Sequence, residues 1–87
     1  MQTLNMQEDE IIKHLRLELG IVKPQIMDTI KDADNFRDDW NLDSLELVEF
    51  VARIEQTFKI LIPDKDLQQF YSLSATAAYL RSKMIAA

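Results

Sequence analysis

Ser44 is the residue whose type and setting point to chemistry. It stands in Asp43-Ser44-Leu45-Glu46, just ahead of a periodic apolar run. Asp43 and Glu46 have the spacing of a capping box. The Asp43 carboxylate would accept from a free backbone N–H of the first helical turn, and Glu46 would reach back to the N–H of Asp43. Ser44 then falls at the first helical position, where unpaired N–H groups and the positive end of the helix dipole lie. A phosphate ester on its hydroxyl would gain about 0.3–1 kcal/mol from that position at an exposed site. An ordinary helix-start serine has the same local sequence, so the meaning of Ser44 depends on the rest of the chain.

Other reactive chemistry is scarce. The 87 residues include no cysteine, which excludes disulfides, thiolate zinc sites and a cysteine nucleophile. His14 is the one histidine and lies in the charged stretch Lys13-His14-Leu15-Arg16, where a solvated helix position is expected. Asp28, Asp32, Asp34, Asp38 and Asp39 lack the glycine and closing Glu of a calcium loop and read as a solvated acidic loop, so no metal site is expected. A net charge of −5 disfavours nucleic acid and suits partners with basic patches. No apolar stretch is long enough to span a membrane, and the first ten residues contain no signal core. The expectation is a cytoplasmic monomer of one domain over residues 1–87, with residues 1–5 frayed.

The elements that must position Ser44 are helices. One glycine and two prolines argue against a turn-rich sheet fold. Asn5 and Glu8 have capping-box spacing, and Ile11, Ile12, Leu15 and Leu19 recur at helical spacing. A first helix is predicted over Met6 to Leu19, with Gly20 as its C-terminal cap and Arg16 on the solvent side. Residues 20–43 have no sustained period. Ile26, Met27, Ile30, Phe36, Trp40 and Leu42 would pin this long loop to the core, with a short turn at Ile26–Ile30. A second helix is predicted from Ser44 to Phe58. Leu47, Val48, Val51, Ile54 and Phe58 form its apolar stripe, Leu45 and Phe50 widen it, and Glu46, Glu49, Arg53 and Gln56 line the other side. Lys59 to Pro63 reads as an extended connector. Asp64 would cap a short third helix over Lys65 to Phe70, and Ser72 or Ser74 the last one, in which Leu73, Ala77, Leu80 and Met84 keep helical spacing. The fold class is all-α, a bundle of three principal helices and one short helix, with a long loop between the first two.

Three segments together resemble the acyl carrier protein family over nearly the whole chain. Phe36-x-x-Asp39-x-x-x-Asp43-Ser44-Leu45 is similar to the family's attachment segment. Glu55-x-x-Phe58-x-Ile60-x-Ile62-Pro63-Asp64 is similar to the segment that ends the second helix, and Ser72 through Leu80, with Tyr79, to the final helix. The resemblance implies that Ser44 carries 4′-phosphopantetheine, a phosphodiester modification installed from coenzyme A by a phosphopantetheinyl transferase. Asp43 and Leu45 would flank the attachment point. Acyl groups would ride on the arm's thiol for acyl-transferring, condensing or acyl-ligase enzymes of fatty acid, lipid or polyketide-like synthesis, and the protein itself would catalyse nothing.

By the same resemblance the second helix would be the docking face, with Glu46, Glu49, Arg53 and Glu55 meeting partners, and Trp40 near enough to touch the arm or a partner. Phe36, Val48, Val51, Ile54, Ile62, Leu67, Phe70 and Leu73 would line an acyl pocket, narrowed by bulky Leu67 and Phe70. Trp40-Asn41 stands where many members have Leu-Gly, a turn that Asn can preserve because it tolerates a left-handed backbone. Arg53, Gln56, Thr57 and Lys59 make the second half of the helix less acidic, which favours a specialised carrier over a housekeeping one. A carrier of aminoacyl, aryl or D-alanyl groups would use the same serine. The alternative of another class is a helical interaction module that is never modified.

Overall fold

A computed structural model describes residues 7–86, with side chains placed through Met84. Helix α1 spans Glu8–Val22, α2 spans Ser44–Phe58 and α3 spans Leu73–Ala86, with two 3₁₀ segments at Pro24–Ile26 and Asp64–Gln69. No described residue is in a strand. The predicted all-α architecture holds, with the short third helix wound as 3₁₀.

Helix α1 is the central element. It packs against both α2 and α3, while α2 and α3 make no close backbone approach among the described residues. Ile11, Leu15 and Leu19 present its buried face. The space between α2 and α3 is filled by chain that is not α-helical, where Phe36, Leu42, Ile62 and Phe70 are all buried. Phe36 meets Phe50 of α2 edge to face, with ring centroids 5.7 Å apart. That arrangement follows from the ring quadrupoles.

Helix α1 differs from expectation at both ends. The Asn5 cap and the start at Met6 lie outside the described residues. At the described end, the Gln7 N–H donates to Glu10 Oε1 at 3.2 Å. At the other end Gly20 is not a cap. It is buried inside the helix, which continues to Val22 and stops where Pro24 restricts Lys23. The glycine is there for closeness. A Cβ at position 20 would lie 2.7 Å from Met27 Sδ and 2.9 Å from its Cγ.

The loop from Lys23 to Asp43 is pinned as the apolar pattern predicted. Ile26, Ile30, Phe36 and Leu42 are buried, and Met27 and Trp40 are half-buried. Polar pins add to these. Arg16, placed on the solvent side by periodicity, instead donates to the Ile30 carbonyl at 2.6 Å and to Asp32 Oδ1 at 2.7 Å. The Phe36 N–H donates to the Tyr71 carbonyl and Ser74 N–H to the Asp32 carbonyl, both at 2.9 Å. These two bonds tie the loop to the start of α3. Asn41 has φ 55°, the left-handed conformation expected of it. Lys59 ends α2 with φ 60°.

Two caps also resolve. Ser72 caps α3, its Oγ accepting from Ala75 N–H at 3.0 Å. Asp64 is the first residue of its 3₁₀ segment rather than the cap, and Pro63 holds the cap position without a side-chain bond.

Candidate functional site at the start of helix α2

The capping box around Ser44 is formed as predicted. Asp43 Oδ1 accepts from Glu46 N–H at 2.8 Å, and Glu46 Oε1 accepts from Asp43 N–H at 3.0 Å. Ser44 is exposed at the first helical position. Its neighbour Leu45, which the periodicity assigned to the apolar stripe, is 81% exposed, and Val48 is 54% exposed. The reason is geometric. Phe50, Val51 and Ile54 are the α2 residues that the core buries, while Leu45 lies off that face and Val48 only at the edge of a second cleft. A rigid helix start thus presents a hydroxyl flanked by exposed apolar groups.

Beside Ser44 opens a cleft of about 180 Å³. Its walls are Ser44 and Leu47 of α2, the loop residues Asn35, Phe36 and Arg37, and the segment holding Leu67, Gln68, Phe70 and Tyr71. A second cleft of about 140 Å³ lies further along α2, between Val48, Val51 and Glu55 on one side and Ile62 and Leu67 on the other. Leu67 lines both. A wider, open depression of about 630 Å³ lies against α3, and Ser44 does not line it.

The eight predicted pocket residues therefore divide. Phe36, Leu67 and Phe70 line the cleft at Ser44. Val48, Val51, Ile62 and Leu67 line the second. Ile54 and Leu73 are fully buried and line neither, because they face the packed core. Among the residues lining the Ser44 cleft, sequence reasoning did not place Asn35, Arg37, Leu42, Leu47, Gln68 or Tyr71 there. The one signal that could have found Arg37 is a single cation set among Asn35, Asp38 and Asp39.

The predicted docking charges are mostly engaged within the chain. Glu46, besides its cap, receives Lys23 Nζ at 3.2 Å. Arg53 is paired with Glu18 of α1 at 2.7 Å. Glu55 accepts the Ile62 N–H on Oε2 at 2.8 Å and so fixes the connector after α2. Glu49 alone of the four is exposed with no hydrogen bond or ion pair among the described residues. Trp40 does not line the Ser44 cleft. Its ring packs against the core and its Nε1–H donates to Asp34 Oδ2 at 2.9 Å. The Lys31 backbone N–H and then the Trp40 indole hold the Asp34 carboxyl below its ordinary pKa.

Residues 9–80 match the family model described as the phosphopantetheine attachment site. The chain belongs to the acyl carrier protein family. It is 36% identical over 85 residues to the acyl carrier protein of Guillardia theta, covering 93% of this chain and 100% of that one. It is 35% identical over 80 residues to the mitochondrial acyl carrier protein of Neurospora crassa, covering 91% of this chain and 60% of that longer protein. Among solved structures, the acyl carrier protein of Enterococcus faecalis superposes with a TM-score of 0.71 at 27% identity, over 88% of this chain and 98% of that one. Membership makes the chain a carrier and not a catalyst, and its prosthetic group covalent phosphopantetheine. The site's donor set suits such a group: an exposed hydroxyl, a guanidinium and a side-chain amide around one cleft. No described helix is long and apolar enough to cross a membrane.

Proposed function

We propose that Ser44 is the attachment serine and that the chain carries acyl groups between enzymes of fatty acid, lipid or polyketide-like synthesis. The observation that carries this reading is the exposed Ser44 hydroxyl at the first position of a capped helix, inside the matched attachment region and at the mouth of a cleft. When bound, the group supplies a thiol on a flexible arm, where acyl chains are held as thioesters.

The chain's own residues supply position. The reciprocal Asp43–Glu46 bonds and the Lys23–Glu46 ion pair hold the start of α2, so Ser44 is offered at a fixed point and angle. Asp43 Oδ1 is held by its cap; on a phosphopantetheinyl transferase the Ser44 hydroxyl oxygen would attack the pantetheine-bearing phosphorus of coenzyme A, its proton passing to the transferase and adenosine 3′,5′-bisphosphate leaving. Leu45 and Val48 offer apolar contact beside the serine, and Glu49 offers an uncommitted charge for a basic partner surface. Such charges raise association rates more than affinity, which suits a shuttle.

The cleft offers room for part of the cargo. An apolar cavity of about 150 Å³ accepts benzene, and the cleft at Ser44 measures about 180 Å³. A short acyl chain, or the end of a longer one, fits that space. Leu67 separates it from the second cleft.

The test is intact mass after incubation with coenzyme A, magnesium and a broad-specificity phosphopantetheinyl transferase, beside Ser44→Ala. One phosphopantetheine and one titratable thiol are expected in the wild type alone. Equal modification of Ser44→Ala, or none in the wild type while another carrier is modified alongside, would overturn the reading.

A further inference from the structure

We propose that Arg37 holds the phosphodiester on Ser44 and turns the arm into the cleft over Leu67 and Phe70. The inference rests on Ser44 being the attachment serine.

The argument starts from charge. A phosphodiester on Ser44 sits next to the Asp43 carboxylate, which already takes the Glu46 N–H at the helix start. The positive end of α2 is thus partly answered before the phosphate arrives, and the two anions repel. A cation within reach would offset that repulsion.

Arg37 is placed to supply it. The Leu42 N–H donates to the Phe36 carbonyl at 2.9 Å and the Asn41 N–H to the Arg37 carbonyl at 3.1 Å. This closed turn brings Arg37 to the rim of the cleft that Ser44 and Asp43 also line. Left-handed Asn41 lets the turn close. The Arg37 side chain is exposed and makes no hydrogen bond or ion pair among the described residues, whereas Arg16 and Arg53 are paired with Asp32 and Glu18. Neighbouring acids do not hold it. Asp39 Oδ2 accepts from the Asn35 N–H and Asp43 Oδ1 from Glu46. A planar guanidinium can give two parallel N–H bonds to phosphate oxygens.

The cleft floor suits an arm that folds inward. Leu67 and Phe70 provide apolar wall, and the exposed Gln68 amide is free of partners among the described residues, ready for an amide of the arm. Arg37 at one end and Gln68 at the other would fix the direction in which the arm lies. Arg37 is a positioning residue in this scheme.

The experiment loads the wild type, Arg37→Gln and Arg37→Lys with phosphopantetheine and confirms each by intact mass. Nitrogen–proton spectra of apo and holo forms are then compared at low and high salt, together with the phosphorus resonance of the holo forms. Because Arg37 is exposed, the apo spectra of the variants should match the wild type away from position 37. In the wild type, attachment should shift the Gln68 and Tyr71 resonances, and raised salt should shrink those shifts, since an exposed ion pair weakens as the Debye length falls from about 10 Å at 0.1 M to about 3 Å at 1 M. Arg37→Gln should lose at least half of the shift and all of its salt dependence, and Arg37→Lys should restore part of both. Equal shifts in wild type and Arg37→Gln would overturn the role of Arg37 while leaving Ser44 as the attachment point. A wild type that loads while Arg37→Gln does not would also overturn it, moving Arg37 to transferase docking. A wild type that gains no mass would remove the attachment reading and this proposal together.

Discussion

Gly20→Ala is the sharpest test of how α1 meets the loop before the site. Two effects oppose each other. In a helix interior, Ala is favoured over Gly by about 0.8–1.0 kcal/mol. Position 20 is two residues from the end of α1, so roughly 0.5 kcal/mol of that gain should be realised. Against it, the new Cβ would meet Met27 Sδ at 2.7 Å, Cγ at 2.9 Å and Cβ at 3.1 Å. Overfilling a packed contact costs about 1–3 kcal/mol. The contact should win, leaving a net loss of about 0.5–2.5 kcal/mol, or roughly 2–20 °C in Tm for a domain of this size. The assay is urea unfolding of wild type, Gly20→Ala, Met27→Ala and the double variant. Met27→Ala removes Sδ and Cγ, so Gly20→Ala should then be neutral or mildly stabilising, and the cycle should show a coupling of about 1–2 kcal/mol. If Gly20→Ala stabilised the wild type by the full helix-propensity gain, Met27 would simply swing aside, and close approach would not be the reason for the glycine.

Three further outcomes follow from named contacts. Phe36→Ala should cost about 3–5 kcal/mol, because the ring is 2% exposed and meets Phe50 edge-on; a denaturation midpoint close to wild type would mean the loop is not held by this ring. Glu46→Ala and Glu49→Ala should separate stability from docking: the first removes the reciprocal cap bond and the Lys23 pair and lowers stability by about 0.5–1.5 kcal/mol, while the second leaves stability unchanged and slows transferase association at low salt, with equal unfolding midpoints counting against the split. Tyr79 is pushed up to about 12, by burial first and then by its hydrogen bond to Asp66 and that carboxylate's charge. Its folded value lies above the unfolded value of about 10, so its contribution is present below pH 10 and is lost as pH rises through 12. Stability should fall over that window in the wild type and less in Tyr79→Phe. A difference titration of tyrosinate absorbance that finishes by pH 10 would refute the assignment.

Much of the fold was legible because it is written locally. The bounds of α2 are those predicted, Ser44–Phe58, since a capping box and an apolar period act over three or four residues. The pins Ile26, Ile30, Phe36 and Leu42 were readable as large apolar residues in a loop with no other reason to hold them. The left-handed turn at Asn41 followed from the residue's short polar side chain.

The tertiary structure decided where local cues pointed both ways. Gly20 has the sequence position of a helix cap, and only the approach of Met27 turns it into a packing contact. Glu46, Arg53 and Glu55 look like a solvent-facing charged side, yet Lys23, Glu18 and the Ile62 N–H take them up. Leu45 keeps the helical period but has no facing surface, so it is left in solvent beside the serine. Arg37 lines the cleft with Ser44 through backbone bonds that close its turn. By itself the sequence determined where α2 begins and which residues are apolar enough to be buried. It could not determine which charges meet, because an ion pair depends on the relative placement of distant elements, and that placement comes from burial of apolar surface, which is non-directional until the whole core is assembled.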